Sequence, residues 1–187
     1  DKPINPILNP RPGHADLNGY IKYRLNDIRD VIERSSARET ASRTAVGSFA
    51  KMLLKKFDIS FYSYVFKIGE IIYDDSPFDD YIKVDLNDLR CPDNKIYKNM
   101  VLEIEKAKKE GDTIGGAFKI IVKNAPIGLG SYTQWDKRID GKMAQSIMSI
   151  PAIKAVEFGN GIMSSQTRGL EYHDEIFYEE KKKFYRN

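Results

Sequence analysis

The class of fold is decided by residues 39–57, which read Glu-Thr-Ala-Ser-Arg-Thr-Ala-Val-Gly-Ser-Phe-Ala-Lys-Met-Leu-Leu-Lys-Lys-Phe. Apolar side chains recur there every four residues, at Ala41, Ala45, Phe49, Leu53 and Phe57. This period predicts a long amphipathic helix whose apolar face packs against a core. Ser36 and Glu39, three residues apart just before that face, predict a capping box at the helix start. Gly47 weakens the helix, and we expect it to allow close packing against a neighbour.

Shorter patterns on either side of this helix predict further elements. A second long helix can be capped by Asp93 or Asn94, and Gly111 lies just past its end. Strands are predicted over residues 59–72, 113–123 and 153–158, and short helices over 16–23 and 142–149. The first of these strands is apolar on both faces, which is typical of a strand covered on both sides. The alternation of strands and helices predicts a layered fold of α and β elements.

Composition excludes several classes of function. The 187 residues are 41% hydrophobic and 11% aromatic, as in a folded protein. Thirty basic and 27 acidic side chains give a net charge of +3, too balanced to predict binding to nucleic acid or to membranes. With one cysteine, Cys91, and two histidines, an internal disulfide and a zinc site built from cysteines or several histidines are excluded. We expect no bound metal and a cytoplasmic location, since no apolar run could span a bilayer.

Both ends of the sequence are typical of cuts in a longer protein. Prolines at positions 3, 6 and 10 precede any predicted element, and the charged run over residues 179–183 is followed by no closing element. We therefore expect a single domain over residues 1–187, with further segments of the protein on both sides.

Candidate chemistry is concentrated near the start of the long helix. Four arginines and one histidine fall within a short stretch, at Arg11, His14, Arg34, Arg38 and Arg43. Guanidinium groups bind carboxylates and phosphates, a helix start also favours anions, and histidine suits acid–base work. The residues alone leave a second interpretation open. The arginines of this region can form exposed ion pairs with Asp27, Asp30, Glu33 and Glu39, which contribute little stability.

Other features are less specific. Residues 128–131, Gly-Leu-Gly-Ser, lack the lysine and spacing of a P-loop, so they predict a turn and not a phosphate site. Trp135 is expected in a core or an interface, and His173 on the surface.

The motifs together resemble one known family. Arg-Pro-Gly-His-Ala-Asp at 11–16 and Glu-Arg-Ser-Ser-Ala-Arg-Glu-Thr at 33–40 are long and specific. Arg-Cys-Pro-Asp at 90–93, Glu-Gly-Asp-Thr-Ile-Gly-Gly at 110–116, Gly-Leu-Gly-Ser at 128–131 and Met-Ser-Ile-Pro-Ala-Ile-Lys at 148–154 follow in order. This series is similar to that of chorismate synthases, over nearly all of the chain.

The resemblance implies a fold and an activity. The family's fold is α+β, with a helical layer sandwiched between antiparallel sheets, and the enzyme usually assembles as a homotetramer. It converts 5-enolpyruvylshikimate 3-phosphate to chorismate and phosphate by a 1,4-elimination that requires reduced FMN. In some relatives NADPH serves as the reductant of the flavin. The substrate carries two carboxylates and a phosphate, which explains the wealth of arginine.

The same resemblance implies roles for individual residues. His14 matches the histidine that is thought to protonate the reduced flavin. Arg38 matches an arginine that binds substrate anions, and Arg11 is a second candidate for that work. Flavin contacts are implied for Arg34, Ser35, Ser36, Pro151 and Ala152. The sequence departs from the family at Pro151, where many relatives have asparagine, and at Ala155 and Leu170, often glycine and serine.

Several elements of the family do not occur in these 187 residues. They are an N-terminal Ser-His-Gly element with a second histidine, and C-terminal Asn-Ala-Gly-Gly, Lys-Pro-Ile and Arg-x-Asp-Pro stretches. We therefore predict that the chain alone folds but does not turn over substrate. The alternative is a non-catalytic module that binds anions and mediates oligomerisation. An RNA-binding domain is disfavoured because aromatic residues are not interleaved with the arginines.

Overall fold

A computed structural model describes residues 5–74, 83–181 and 183–186 of the chain. The chain divides into two compact units, Asp1–Thr40 with Gly128–Asn187, and Ala41–Ile127. We refer to them as the first and second unit. The prediction of a single domain is not tested by this division.

Two short helices open the first unit, α1 (Asp16–Tyr23) and α2 (Arg29–Arg34). The sequence predicted α1 with these bounds, but α2 was missed because it lies in a highly charged stretch. Ile28 and Val31 are buried. The backbone N–H of Ile28 donates to the carbonyl of Ile7 at 3.0 Å, which ties the chain before α1 to the start of α2.

The predicted long helix is confirmed as α3 (Glu39–Lys55), although its surroundings differ from the expectation. None of its residues is buried, and Phe49 is 74% exposed, so the prediction that its apolar face meets a core is wrong for the described part of the chain. Amphipathic periodicity reveals a helix face but not what covers it. The helix begins at Glu39 itself, and Ser36 Oγ accepts the Arg38 N–H at 3.3 Å. Ser36 therefore bonds the backbone at the approach to the helix, and the capping box with Glu39 stays a prediction.

The second unit contains an antiparallel sheet of three strands in the order β2–β1–β3, formed by β1 (Ser60–Ile68), β2 (Ile71–Ile72) and β3 (Gly116–Lys123). The single strand predicted over residues 59–72 is therefore wrong. Gly69, with φ of +54°, turns the chain back on itself, and its N–H donates to the Gly115 carbonyl at 2.9 Å. Glycine adopts this left-handed conformation without steric cost.

The predicted strand over residues 113–123 is confirmed as β3 with a later start, but its better covered face is not the apolar one. Phe118 and Ile120 are exposed, whereas Lys119 is half-buried with its Nζ 6.0 Å from the ring centre of Phe66. Lysine can cover apolar surface with its stem while its charge rests over an aromatic ring.

The second long helix is confirmed as α4 (Asn94–Glu110), which packs against β1 and β2 and buries Met100. Asp93 caps it by accepting the N–H groups of Lys95 and Ile96 at 2.8 and 2.7 Å. Gly111 ends it with φ of +69°. Both caps were readable from the sequence because they are local interactions.

The remainder of the first unit holds α5 (Ile139–Met148), α6 (Gly169–Tyr172) and an antiparallel hairpin of β4 (Ile176–Glu179) and β5 (Lys183–Arg186). Short 3₁₀ turns span Trp135–Lys137 and Gly161–Gln166. The helix predicted over residues 142–149 is confirmed with an earlier start. The strand predicted over residues 153–158 is wrong, because this stretch pairs with no strand in the described part of the chain. The hairpin was not predicted.

Candidate anion-binding and acid-base site

The Arg-Pro-Gly-His-Ala-Asp motif forms a closed loop before α1. The carboxylate of Asp16 accepts Nε of Arg11 at 2.9 Å and Nη2 of Arg11 at 3.1 Å, and it also accepts the Arg11 backbone N–H at 3.0 Å. Asp16 has no exposed surface, whereas the Arg11 side chain is 47% exposed. The hydrogen bonds from Arg11 lower the pKa of Asp16 to about 2. Asp16 is therefore a carboxylate at neutral pH.

His14 lies in this loop with a defined orientation. Its Nδ1 is 2.8 Å from the carbonyl oxygen of Pro12, and Gly13, with φ of +72°, makes the turn between them. A carbonyl oxygen only accepts hydrogen bonds, so Nδ1 carries the proton. In the neutral imidazole, Nε2 then holds the lone pair and is the atom that can take up or release a second proton.

The connection between α2 and α3 carries the predicted flavin-contacting residues. Arg34 ends α2, and its Nη1 donates to Oε2 of Glu39 at 3.2 Å. Ser35 Oγ donates to the carbonyl of Val31 at 2.6 Å, so its hydroxyl proton is engaged by the helix. The Arg34 side chain is 84% exposed, and one of its N–H groups is engaged in the described part of the chain.

The structure divides the arginines between the two interpretations left open by the sequence. Arg29 and Arg34 form ion pairs with Asp27 and Glu39, as the less specific interpretation predicted. Arg38 is exposed, and within the described residues its guanidinium has no ion-pair or hydrogen-bond partner. A cation without a protein partner at a helix start is suited to an external anion. Arg43 lies in the second unit.

Pro151 and Ala152 form a tight turn after α5. The N–H of Ile153 donates to the carbonyl of Ile150 at 3.2 Å across the turn, and Ala152 has φ of +70°. Proline followed by a residue of positive φ is the pattern of a type II turn, in which the second position favours glycine. Ala152 is thus a strained residue at one of the predicted flavin contacts.

The hydrogen bonds and ion pairs of the candidate residues each lie within one of three segments, residues 11–16, 27–39 and 150–153. They bring His14 together with Arg11 and Asp16, and Arg34 together with Glu39. Arg38 lies beside Ser36, and Pro151 beside Ala152. All three segments belong to the first unit. Asp16 is the last residue of the motif over residues 11–16, and the sequence predicted no role for it. Its burial could have been suspected because it is an acid five residues after an arginine and at a helix start.

The remaining candidates play structural or surface roles. Gly130 has φ of +76°, and a methyl group there would lie 2.9 Å from the backbone N of Ile139, so this turn packs closely against the start of α5. His173 is exposed, as predicted. Trp135 is 84% exposed, so of its two predicted locations a core is wrong for the described part of the chain, and an interface stays a prediction.

Within the described ranges, no helix is long and apolar enough to cross a membrane. Among the same residues, no group of three or more histidine, cysteine, aspartate or glutamate side chains is arranged to hold a metal ion.

Comparison with known proteins gives the family. A model of the family described as chorismate synthase matches residues 4–186. This chain belongs to the chorismate synthase family. A chorismate synthase of Endomicrobium trichonymphae is 48% identical over all of this chain and 49% of its own length. The chorismate synthase of Alkaliphilus metalliredigens is 48% identical over 96% of this chain and 48% of its own.

The fold is shared with the family as well. A crystal structure of chorismate synthase is similar with a TM-score of 0.86 and 41% sequence identity, over 92% of this chain and 55% of that one. The predicted α+β class with antiparallel sheets is confirmed. The chain spans about half the length of the curated relatives that it matches.

Proposed function

We propose that this chain forms the central part of a chorismate synthase, a lyase that eliminates phosphate from 5-enolpyruvylshikimate 3-phosphate to give chorismate. The observations that support it most concern two separate groups of the first unit. His14 has its free Nε2 defined by the hydrogen bond at Nδ1, and Arg38 is exposed without a partner among the described residues. His14 supplies an acid–base group, and Arg38 supplies a positive charge that can bind a polyanion.

The substrate assignment is supported by charge. Two carboxylates and a phosphate need several cationic partners, and the bond that breaks releases an anionic phosphate. Preplaced guanidinium groups stabilise such developing charge without reorganisation. We assign Arg38 to the substrate anions. Arg11 can contribute as well, through N–H groups that its pairing with Asp16 leaves available.

The residues assigned to the flavin fit a phosphate-bearing cofactor. Arg34 is exposed at the end of α2 with one N–H group engaged, and Ser36 lies beside it at the approach to α3. The turn at Pro151 and Ala152 can contact a ligand through its backbone, which the proline preserves although it lacks an N–H. Reduced FMN supplies the electron density that carbon–oxygen cleavage requires, with no net redox change. The protein contributes charge through Arg34 and binding contacts through Ser35, Ser36, Pro151 and Ala152.

His14 is the group that we assign to proton transfer. With the proton held on Nδ1 by Pro12, the imidazole can accept a proton at Nε2 and return it, which is general acid–base work. The histidine is exposed, so Nε2 is open to a ligand.

The family resemblance also supports a cytoplasmic homotetramer with this chain inside a single domain. Since the chain spans about half the length of its relatives, we expect turnover to need residues beyond those 187. The chain alone is expected to bind FMN without producing chorismate.

The test uses two proteins. In the first, the 187-residue chain is titrated with FMN. In the second, this chain replaces the matched half of the Endomicrobium trichonymphae relative, and chorismate formation is measured with chemically reduced FMN. We expect FMN binding by the chain and turnover by the chimera, which His14→Ala abolishes. A folded chimera that binds FMN without turnover, or a chain that self-associates without binding FMN, would support the non-catalytic module and overturn the proposal.

A further inference from the structure

Asp16 is a buried carboxylate to which the proposed chemistry gives no role. Among the described residues it is the one buried side chain that is charged or polar, and it has no exposed surface. A buried charge is costly unless it is paired and hydrogen-bonded, and it is seldom the most stable solution for a core. The pairing with Arg11 meets the requirement through two side-chain bonds and one backbone bond.

These bonds close the loop that contains His14. Because the backbone N–H of Arg11 and its guanidinium are both held by Asp16, the first residue of the motif is fixed to the last. Pro12, Gly13 and His14 lie between them, and the His14 Nδ1 bond to the Pro12 carbonyl spans this closed segment. The direction of the Pro12 carbonyl therefore depends on both ends of the loop.

We propose that Asp16 is a positioning residue, which holds the loop over residues 11–16 closed so that His14 keeps its proton on Nδ1 and presents Nε2 to the ligand. The proposal rests on the function proposed above. Asp16 is fully buried, so it acts through Arg11 and the loop and does not touch substrate.

Substitution of Asp16 by asparagine tests the role of the carboxylate with almost no change in the size of the side chain. An asparagine side chain has nearly the same shape, but it has one accepting oxygen and an NH₂ group that faces the donors of Arg11. Its single oxygen can keep the two bonds that Oδ2 accepts, from Nε and from the backbone N–H of Arg11. The bond from Nη2 and the attraction between opposite charges are lost, so the closure at Arg11 is weakened. A histidine side chain free in water favours the tautomer with the proton on Nε2, so opening the loop should change the tautomer of His14.

Nitrogen NMR of the imidazoles measures that tautomer directly. The chain has two histidines, and His173→Gln leaves His14 as the single signal. In the parent chain we expect the neutral His14 to be protonated at Nδ1. In Asp16→Asn the population with the proton on Nε2 should rise. Asp27→Asn is the matched control, because Asp27 also pairs with an arginine and accepts a backbone N–H but is partly exposed.

Arg11→Lys gives a second route to the same result, since lysine keeps the charge but cannot form the two parallel bonds. Folding of each variant is checked by the backbone amide spectrum. If either variant folds and leaves the His14 tautomer unchanged, the proposal is overturned. If both variants unfold, Asp16 serves the fold alone and the proposal is overturned as well.

Activity in the chimera separates this inference from the proposed function. Asp16→Asn should lower kcat at least tenfold with KM changed less than threefold, and it should displace the pH–rate profile. Loss of structure alone would reduce the active fraction and leave the shape of that profile unchanged. Full activity of His14→Ala would contradict the proposed function, while the tautomer measurement would still report on Asp16.

Discussion

Gly19 in α1 lies so close to Val31 in α2 that a methyl group on Gly19 would sit 2.5 Å from Cγ1 of Val31. This contact defines how the two short helices pack, and Val31 is buried beneath it. No side chain larger than hydrogen fits without displacing a core residue.

The first prediction concerns the two helical glycines. Gly19→Ala should destabilise the protein by about 1–3 kcal/mol because the added methyl group overpacks the contact with Val31. Gly47→Ala is the matched control. No described atom outside its own helix lies within 4 Å of the added methyl group. Alanine is the better helix former, so this variant should gain about 1 kcal/mol. Urea denaturation measures both, and equal effects would contradict the packing argument.

The second prediction concerns acid stability. The pKa of Asp16 is lowered from 3.8 to about 2 in the folded protein, chiefly by its hydrogen bonds from Arg11. A depressed carboxyl pKa contributes stability that is fully present above the unfolded value and is lost as pH falls through the folded value. The difference in unfolding free energy between the parent and Asp16→Asn should therefore shrink as pH falls from about 5 to 2. A difference that stays constant over this range would contradict the assignment.

The third prediction separates the two exposed arginines of the α2–α3 connection. In the chimera, Arg38→Ala should weaken binding of 5-enolpyruvylshikimate 3-phosphate, and Arg34→Ala should weaken binding of FMN. Loss of one charge-assisted hydrogen bond costs about 1.5–3 kcal/mol, roughly 10- to 100-fold in Kd. Arg168→Ala, at another exposed arginine, should change neither Kd. The assignment fails if each substitution weakens both ligands equally.

The fourth prediction concerns the strained turn after α5. Ala152 has φ of +70°, which costs a residue with a Cβ about 1 kcal/mol. Ala152→Gly should therefore raise the free energy of unfolding by roughly 0.5–1 kcal/mol. Ala144→Gly, in the middle of α5, should lower it by about 1 kcal/mol because glycine is a poor helix former. Thermal unfolding compares the two, and a fall in Tm for both would show that the turn is not strained.

Prediction from the sequence succeeded where interactions are local. Two examples are the caps of α4, at Asp93 and Gly111, and the apolar period of α3. Each involves residues a few positions apart, so it can be predicted from the sequence alone. The predicted strand over residues 59–72 failed because Gly69 fits both a strand and a turn. The strand predicted over residues 153–158 failed because pairing requires a partner that no local pattern supplies.

The candidate site shows the same division. The sequence by itself determined the family, the motifs and the identity of His14 and Arg38, because these depend on which residues occur and in what order. Only the tertiary structure decided that Asp16 is buried against Arg11 and that Nδ1 of His14 faces Pro12. It also decided that, among the residues it describes, Arg34 is paired while the Arg38 guanidinium is not. Burial, tautomer and pairing depend on distances and directions in space, and many spatial arrangements are compatible with one order of residues along the chain.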